Sequence, residues 1–166
     1  MFERTITVGG LGKTFAVTGW RLGYACAPEP FATGLRTVRD YTTICAPAPL
    51  QYAAVAALDL PAAYYRQLTA EYTQRRARMM AILAENEFQA QPPEGAYYVM
   101  SDFSAWKFDG DDYQFAQHLL ERAGVAVVPG SSFYSTAGMG RHLVRWAFAK
   151  KPETFDEVER RLRSRK

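Results

Sequence analysis

The chain has 166 residues, of which 48% are hydrophobic and 22% charged, and its formal net charge is +3. That length holds one domain or two small ones around a substantial core, with the balance of a globular chain. The charge is too small to argue for a nucleic-acid partner, no stretch is long and apolar enough to span a bilayer, and two cysteines and two histidines are too few and scattered for a disulfide framework or a metal site.

Glu3 and Arg4 stand where a secretory leader would need an apolar core, so the cytoplasm is the expected compartment. Thr5-Ile-Thr-Val8 alternates polar and apolar residues and predicts a short strand leading into the glycine turn Gly9-Gly-Leu-Gly-Lys13. Residues 18–27 predict a second extended segment. On it Trp20, Leu22, Tyr24 and Cys26 share one side, while Arg21 shares the other with glycine and alanine only. Cys26, in an apolar run, reads as a small core residue. Pro28-Glu-Pro30 ends that strand and starts a helix with Leu35 and Val38 inward.

Residues 46–49 predict a loop, followed by an alanine-rich helix to about Leu60. A long helix over residues 61–86 places Tyr65, Leu68, Tyr72, Met79 and Leu83 on a core-facing stripe. Beyond Pro92-Pro93, residues 96–102 read as a strand, and Asp111 begins a helix that ends with Gly124 in the C′ position. Residues 125–128 form a short buried strand and residues 141–149 another. Thr154-Phe-Asp-Glu157 has the spacing of a capping box for the last helix, whose basic end is Arg160-Arg-Leu-Arg-Ser-Arg-Lys166. The order is a strand-rich segment (residues 1–60), a connecting helix (61–86) and a compact α+β unit (87–166).

Three side chains carry candidate chemistry. Lys13 has no acid beside it in sequence and sits in a glycine-lined turn, which suits covalent amine chemistry. Arg21, with only small neighbours on its face, has room for a bound anion; the alternative is an edge arginine snorkelling to solvent. Arg145 repeats that pattern, sharing a face with Leu143, Ala147 and Ala149 while Val144, Trp146 and Phe148 pack behind. A guanidinium fork there matches a carboxylate, supplied either by a substrate or by an acid of the protein itself. Gly-Leu-Gly-Lys-Thr imitates the end of a phosphate-binding P-loop, but Thr7 stands where that motif needs glycine and the segment after Thr14 reads as extended, not helical.

The run from Glu3 to Tyr24 resembles the lysine segment of fold-type I pyridoxal-phosphate aminotransferases of class I/II. Three further blocks match in order: Pro93-Glu-Gly-Ala-Tyr97 into a strand, Gly124 to Tyr134, and Val144-Arg-Trp-Ala-Phe-Ala149. Gly-Lys-Thr-Phe, Ser-Ser-Phe-Tyr-Ser and Ala-Phe-Ala-Lys resemble the kynurenine/methionine aminotransferase and cysteine-conjugate β-lyase branch most. The resemblance implies α/β and α+β architecture: the end of the large-domain sheet, here in residues 1–60, and the complete small domain. It also implies pyridoxal 5′-phosphate as cofactor, amino acid and 2-oxo acid as substrates, and a homodimer. By it Lys13 forms the Schiff base and moves the proton, Arg21 binds the cofactor phosphate, and Arg145 holds the substrate carboxylate. Tyr97 lines the substrate pocket or is an ordinary core tyrosine.

The chain departs from that pattern in two ways. Many relatives carry a phosphate-binding serine where this chain has Gly10, so the backbone N–H groups of the turn are expected to bind the phosphate with weakened anchoring. The family's ring-stacking aromatic, its ring-nitrogen aspartate and a tyrosine near the phosphate belong to an upstream half and are not located here. The chain is therefore expected to be a C-terminal portion, inactive alone. The rival expectation is a non-catalytic module that dimerises or docks through an open sheet edge.

Overall fold

A computed structural model describes residues 1–164; Arg165 and Lys166 of the basic tail lie outside the described residues. The chain divides into two compact units, Met1–Tyr64 and a second from Tyr65 onward. In the first, β1 (Thr7–Gly10) pairs antiparallel with β2 (Gly23–Cys26), with Thr7 opposite Cys26 and Gly10 opposite Gly23. The expected strand at residues 5–8 is thus displaced two residues toward the glycines, because its hydrogen bonds go to the Gly23 segment. Between the strands lies α1 (Leu11–Thr14), a single turn anchored by the buried Leu11.

Several expectations for this unit are corrected. Residues 18–27 are not one strand: Thr18–Trp20 is a 3-10 turn, and Arg21 caps it in the left-handed region (φ 54°, ψ 38°). The Trp20 N–H bonds the Val17 carbonyl at 2.9 Å, a local bond that removes the start of the segment from the sheet. The unit is not strand-rich either, since α2 (Phe31–Thr42) and α3 (Ala48–Leu58) follow its two short strands. Leu35 and Val38 do not face inward: Val38 is 61% exposed, with nothing in the unit to cover that side of α2. Cys26 is exposed, at the end of a strand exposed at every residue.

The long helix α4 (Ala62–Glu85) reaches the second unit's core through Met79, Ile82 and Leu83. There the sheet order is β3 (Gln89–Ala90), β4 (Tyr98–Asp102), β6 (Leu143–Ala147), β5 (Val128–Pro129), with every pairing antiparallel. Alternation along β6 buries Val144 and Trp146, continues to Phe148, and puts Arg145 on the opposite face. The helix α5 (Asp112–Ala123) starts in a capping box of Asp111 and Gln114 and ends at Gly124, whose φ of 63° suits a residue without Cβ. Its Phe115 stacks on Phe103 with centroids 4.0 Å apart and meets Phe88, Trp106 and Phe108 edge-on.

Four boundaries differ from the sequence reading, the first being the strand expected at residues 141–149, which spans only Leu143–Ala147. Ala96 is left-handed (φ 64°), so β4 starts two residues later than expected. The strand expected at residues 125–128 pairs only at Val128–Pro129, although Val125 is buried as expected. Thr154 and Glu157 form no capping box: α6 (Pro152–Arg163) starts at a proline after Lys151, so both residues lie inside the helix, and Glu157 pairs with Arg160 and Arg161 instead.

Candidate active site

The first site is the turn that carries Lys13. The Leu11 N–H bonds the Leu22 carbonyl at 3.2 Å, tying α1 to the segment before β2. Thr18 Oγ1 donates to the Gly12 carbonyl at 3.2 Å, and the Tyr64 hydroxyl donates to the Thr14 carbonyl at 2.6 Å while its ring stacks on Phe15. These bonds satisfy carbonyls that so short a helix leaves open. Tyr64 was not singled out by the sequence; it falls just before the core stripe read on the long helix.

Gly10, Gly12, Lys13, Thr18, Arg21, Leu22 and Gly23 line one cavity of about 350 Å³. Lys13 and Arg21 are its only charged lining residues, so the cavity is cationic. Arg21 folds back over its own turn, Nη1 donating to the Thr18 carbonyl at 3.2 Å. It therefore reaches the cavity from a left-handed turn, not from the face of a strand. Apart from Gly10 and its two chain neighbours, no atom lies within 4 Å of the point a Cβ on Gly10 would occupy, which leaves open space beside the two cations. The single turn after Gly10 and the 3-10 turn at Thr18 do not make the long helix of a P-loop.

The second site is built around Arg145 in the other unit. Its Cα lies opposite Met100 on β4 and Val128 on β5, in the middle of the sheet. Its guanidinium carbon lies 4.9 Å from the Tyr98 ring centroid and 4.6 Å from that of Phe133. Nε is buried with no hydrogen-bond partner, and no carboxylate pairs with Arg145 among the described residues. An acid of the described chain is thereby removed as its partner. Tyr97, the expected pocket residue, packs edge-on against Tyr98 at 5.4 Å and against the core, and its carbonyl accepts the Phe148 N–H. The aromatics at Arg145 are Tyr98 and Phe133. The alternation of β4 could have pointed to Tyr98, while nothing local marks Phe133.

Elsewhere the ion pairs lie at the surface, among them Arg78 with Asp156 and Arg163 with Glu159. The Thr33 hydroxyl, donating to Glu29, lowers that carboxyl below its ordinary value. Among the described residues, no cluster of three or more His, Cys, Asp or Glu could hold a metal ion, and no helix is long and apolar enough to cross a membrane.

The family model for aminotransferase class I and II matches residues 2–162. Methionine aminotransferase of Escherichia coli is 35% identical over 161 residues, covering 97% of this chain and 41% of that protein. Kynurenine–oxoglutarate transaminase 3 of Bos taurus is 32% identical, covering 96% of this chain and 39% of its own length. The structure of N-succinyldiaminopimelate aminotransferase from Mycobacterium tuberculosis superposes on all of this chain and 43% of that one, with a TM-score of 0.92 and 37% identity. The chain thus spans about two fifths of the length of the relatives it matches.

Proposed function

The chain belongs to the class I and II aminotransferases, and from that premise we propose that it supplies the lysine and two anion-binding arginines of a pyridoxal-phosphate-dependent transaminase. The reaction exchanges an amino group between an amino acid and a 2-oxo acid. It belongs to the whole protein, acting as a homodimer in the cytoplasm, with the 166 residues inactive alone. In it residues 1–60 are the last part of the cofactor domain, 61–86 a connecting helix and 87–166 the small domain. The observation that carries the reading is the cavity with Lys13 and Arg21 as its only charges and open space at Gly10.

That donor set fits a phosphorylated aldehyde. Arg21 keeps guanidinium N–H groups beyond the one used on Thr18, and the missing side chain at Gly10 leaves the anion room. Pyridoxal phosphate held there by Lys13 and Arg21 would supply the electron sink for charge developing at the substrate Cα. Once the substrate amine takes its place, Lys13 Nζ would carry the proton away from the substrate Cα, a role that needs the amine neutral while it acts as base. The hydrogen bonds from Thr18 and Tyr64 hold the backbone of α1 in place, limiting the arc through which Nζ moves. Arg145 receives the α-carboxylate. Methionine and kynurenine, for which two relatives are named, differ in side chain but share that carboxylate.

The test needs no turnover. The purified chain is mixed with pyridoxal phosphate, reduced with borohydride and mapped by mass spectrometry. A single adduct on Lys13 that vanishes in Lys13→Ala is the expected result. Labelling spread over surface lysines, unchanged in Lys13→Ala, would refute the assignment.

A further inference from the structure

Asp112 is a buried acid for which transamination has no use. It is 1% exposed at the first position of α5, and its Oδ2 accepts the Ser131 backbone N–H at 2.7 Å. A carboxylate withdrawn from water is tolerated only with good hydrogen bonds. Here its partner belongs to the 3-10 turn Gly130–Phe133, which follows β5 directly.

That turn is fixed at three points. Gly130 lies so close to its neighbours that a Cβ there would sit 2.5 Å from the Leu143 carbonyl oxygen and 2.7 Å from that of Gly140. Ser131 is held by Asp112, and Ser132 Oγ shares a 3.0 Å hydrogen bond with the Tyr113 hydroxyl. The next residue, Phe133, places its ring 4.6 Å from the Arg145 guanidinium carbon, with Tyr98 also in range at 4.9 Å. Asp112 therefore reaches Arg145 through one backbone bond and one ring.

We propose that Asp112, Phe133 and Tyr98 are positioning residues for Arg145: Asp112 locks the turn, and the two rings hold the guanidinium so that its fork is preset for a carboxylate. The proposal rests on the reading of Arg145 as carboxylate receiver. Ring contact supplies attraction to the cation without occupying its N–H donors. An ion pair with a protein acid would instead have used those donors. Preorganisation of this kind reduces the side-chain freedom lost on binding. Nε, buried in this packing without a hydrogen-bond partner, is the group whose N–H reports how firmly the guanidinium is held.

The experiment follows the Arg145 Nε–Hε signal of the labelled chain by NMR, assigned with Arg145→Lys, measuring solvent exchange and the response to acetate. Phe133→Leu is expected to speed exchange about tenfold and weaken the acetate response several-fold, as loss of a cation–π contact predicts. Phe133→Tyr should restore both. Asp112→Asn, which keeps an oxygen for the Ser131 N–H, should retain what Asp112→Ala loses. Phe133 is partly exposed, so Phe133→Leu decides the matter even if Asp112→Ala fails to fold. Unchanged exchange and acetate response in folded Phe133→Leu overturn the proposal. A slow-exchanging Nε–Hε in the parent that ignores acetate overturns the carboxylate reading instead, leaving a clamp without that ligand if Phe133→Leu still speeds exchange.

Discussion

Arg21 is the residue at which conformation and proposed chemistry can be separated. A non-glycine residue in the left-handed region carries a cost of about 1 kcal/mol, and Arg21 recovers part of it through the bond from Nη1 to the Thr18 carbonyl. Glycine would adopt the same φ without that penalty but would bring no guanidinium. Arg21→Gly is therefore expected to leave stability within about 1 kcal/mol of the parent. It should lower affinity for pyridoxal phosphate more than tenfold, the loss expected when about 1.5–3 kcal/mol of charged hydrogen bonding goes. Thermal melts and absorbance titrations measure the two effects separately. Equal affinity in the variant would show that the phosphate is bound elsewhere.

At the scale of elements, the sequence was read well where apolar periodicity is long and poorly where a local bond competes with it. The helix α4 forms as read, with Tyr72, Met79 and Leu83 of its expected stripe in or against the core but Tyr65 and Leu68 outside it. Trp146 and Phe148 are buried behind Arg145 as the alternation of β6 requires. The segment from Thr18 to Cys26 alternates too, yet the 3-10 turn takes its first residues and only Gly23–Cys26 pairs. Lys13 and Arg21 were legible as residues, whereas the turn that brings Arg21 to the cavity was not. Phe133 was equally out of reach, since its approach to Arg145 depends on a turn held by Asp112 from another element.

The supposed capping box of α6 failed because Pro152 starts the helix, leaving Glu157 free to bond Arg160 and Arg161. Those two guanidiniums, Arg160 first, lower the Glu157 carboxyl from 4.5 to about 2. With the folded value below the unfolded one, the stabilisation is complete above about 4.5 and lost as pH falls through about 2. Glu157→Gln should thus melt below the parent at neutral pH, and the gap should close near pH 2. A gap independent of pH would assign the loss to helix propensity.

The whole molecule is unequal in its packing. Among the described residues of the first unit, Leu11 is the one buried hydrophobic side chain, while Val8, Tyr24, Val38, Tyr41, Tyr52 and Val55 are exposed. The second unit gathers fifteen buried side chains into one cluster, from Met79 on α4 to Leu162 on α6, with Phe115 at its aromatic centre. Since burial of apolar surface is the main favourable term in folding, resistance to unfolding should be concentrated there. Phe115→Ala leaves a ring-sized void between Phe103, Trp106 and Phe108, at an expected cost of about 3–5 kcal/mol. Hydrogen exchange read residue by residue provides the measurement. The most protected amides should lie in α4 beyond Tyr65, in β4, β6 and α5, and Phe115→Ala should lower their protection together. The amides of β1 and β2, joined in a two-stranded ribbon with little apolar cover, should exchange faster in the parent and change little in the variant. Equal loss of protection in both units would mean that they unfold as one cooperative body, and the lysine turn would then owe its order to the aromatic core.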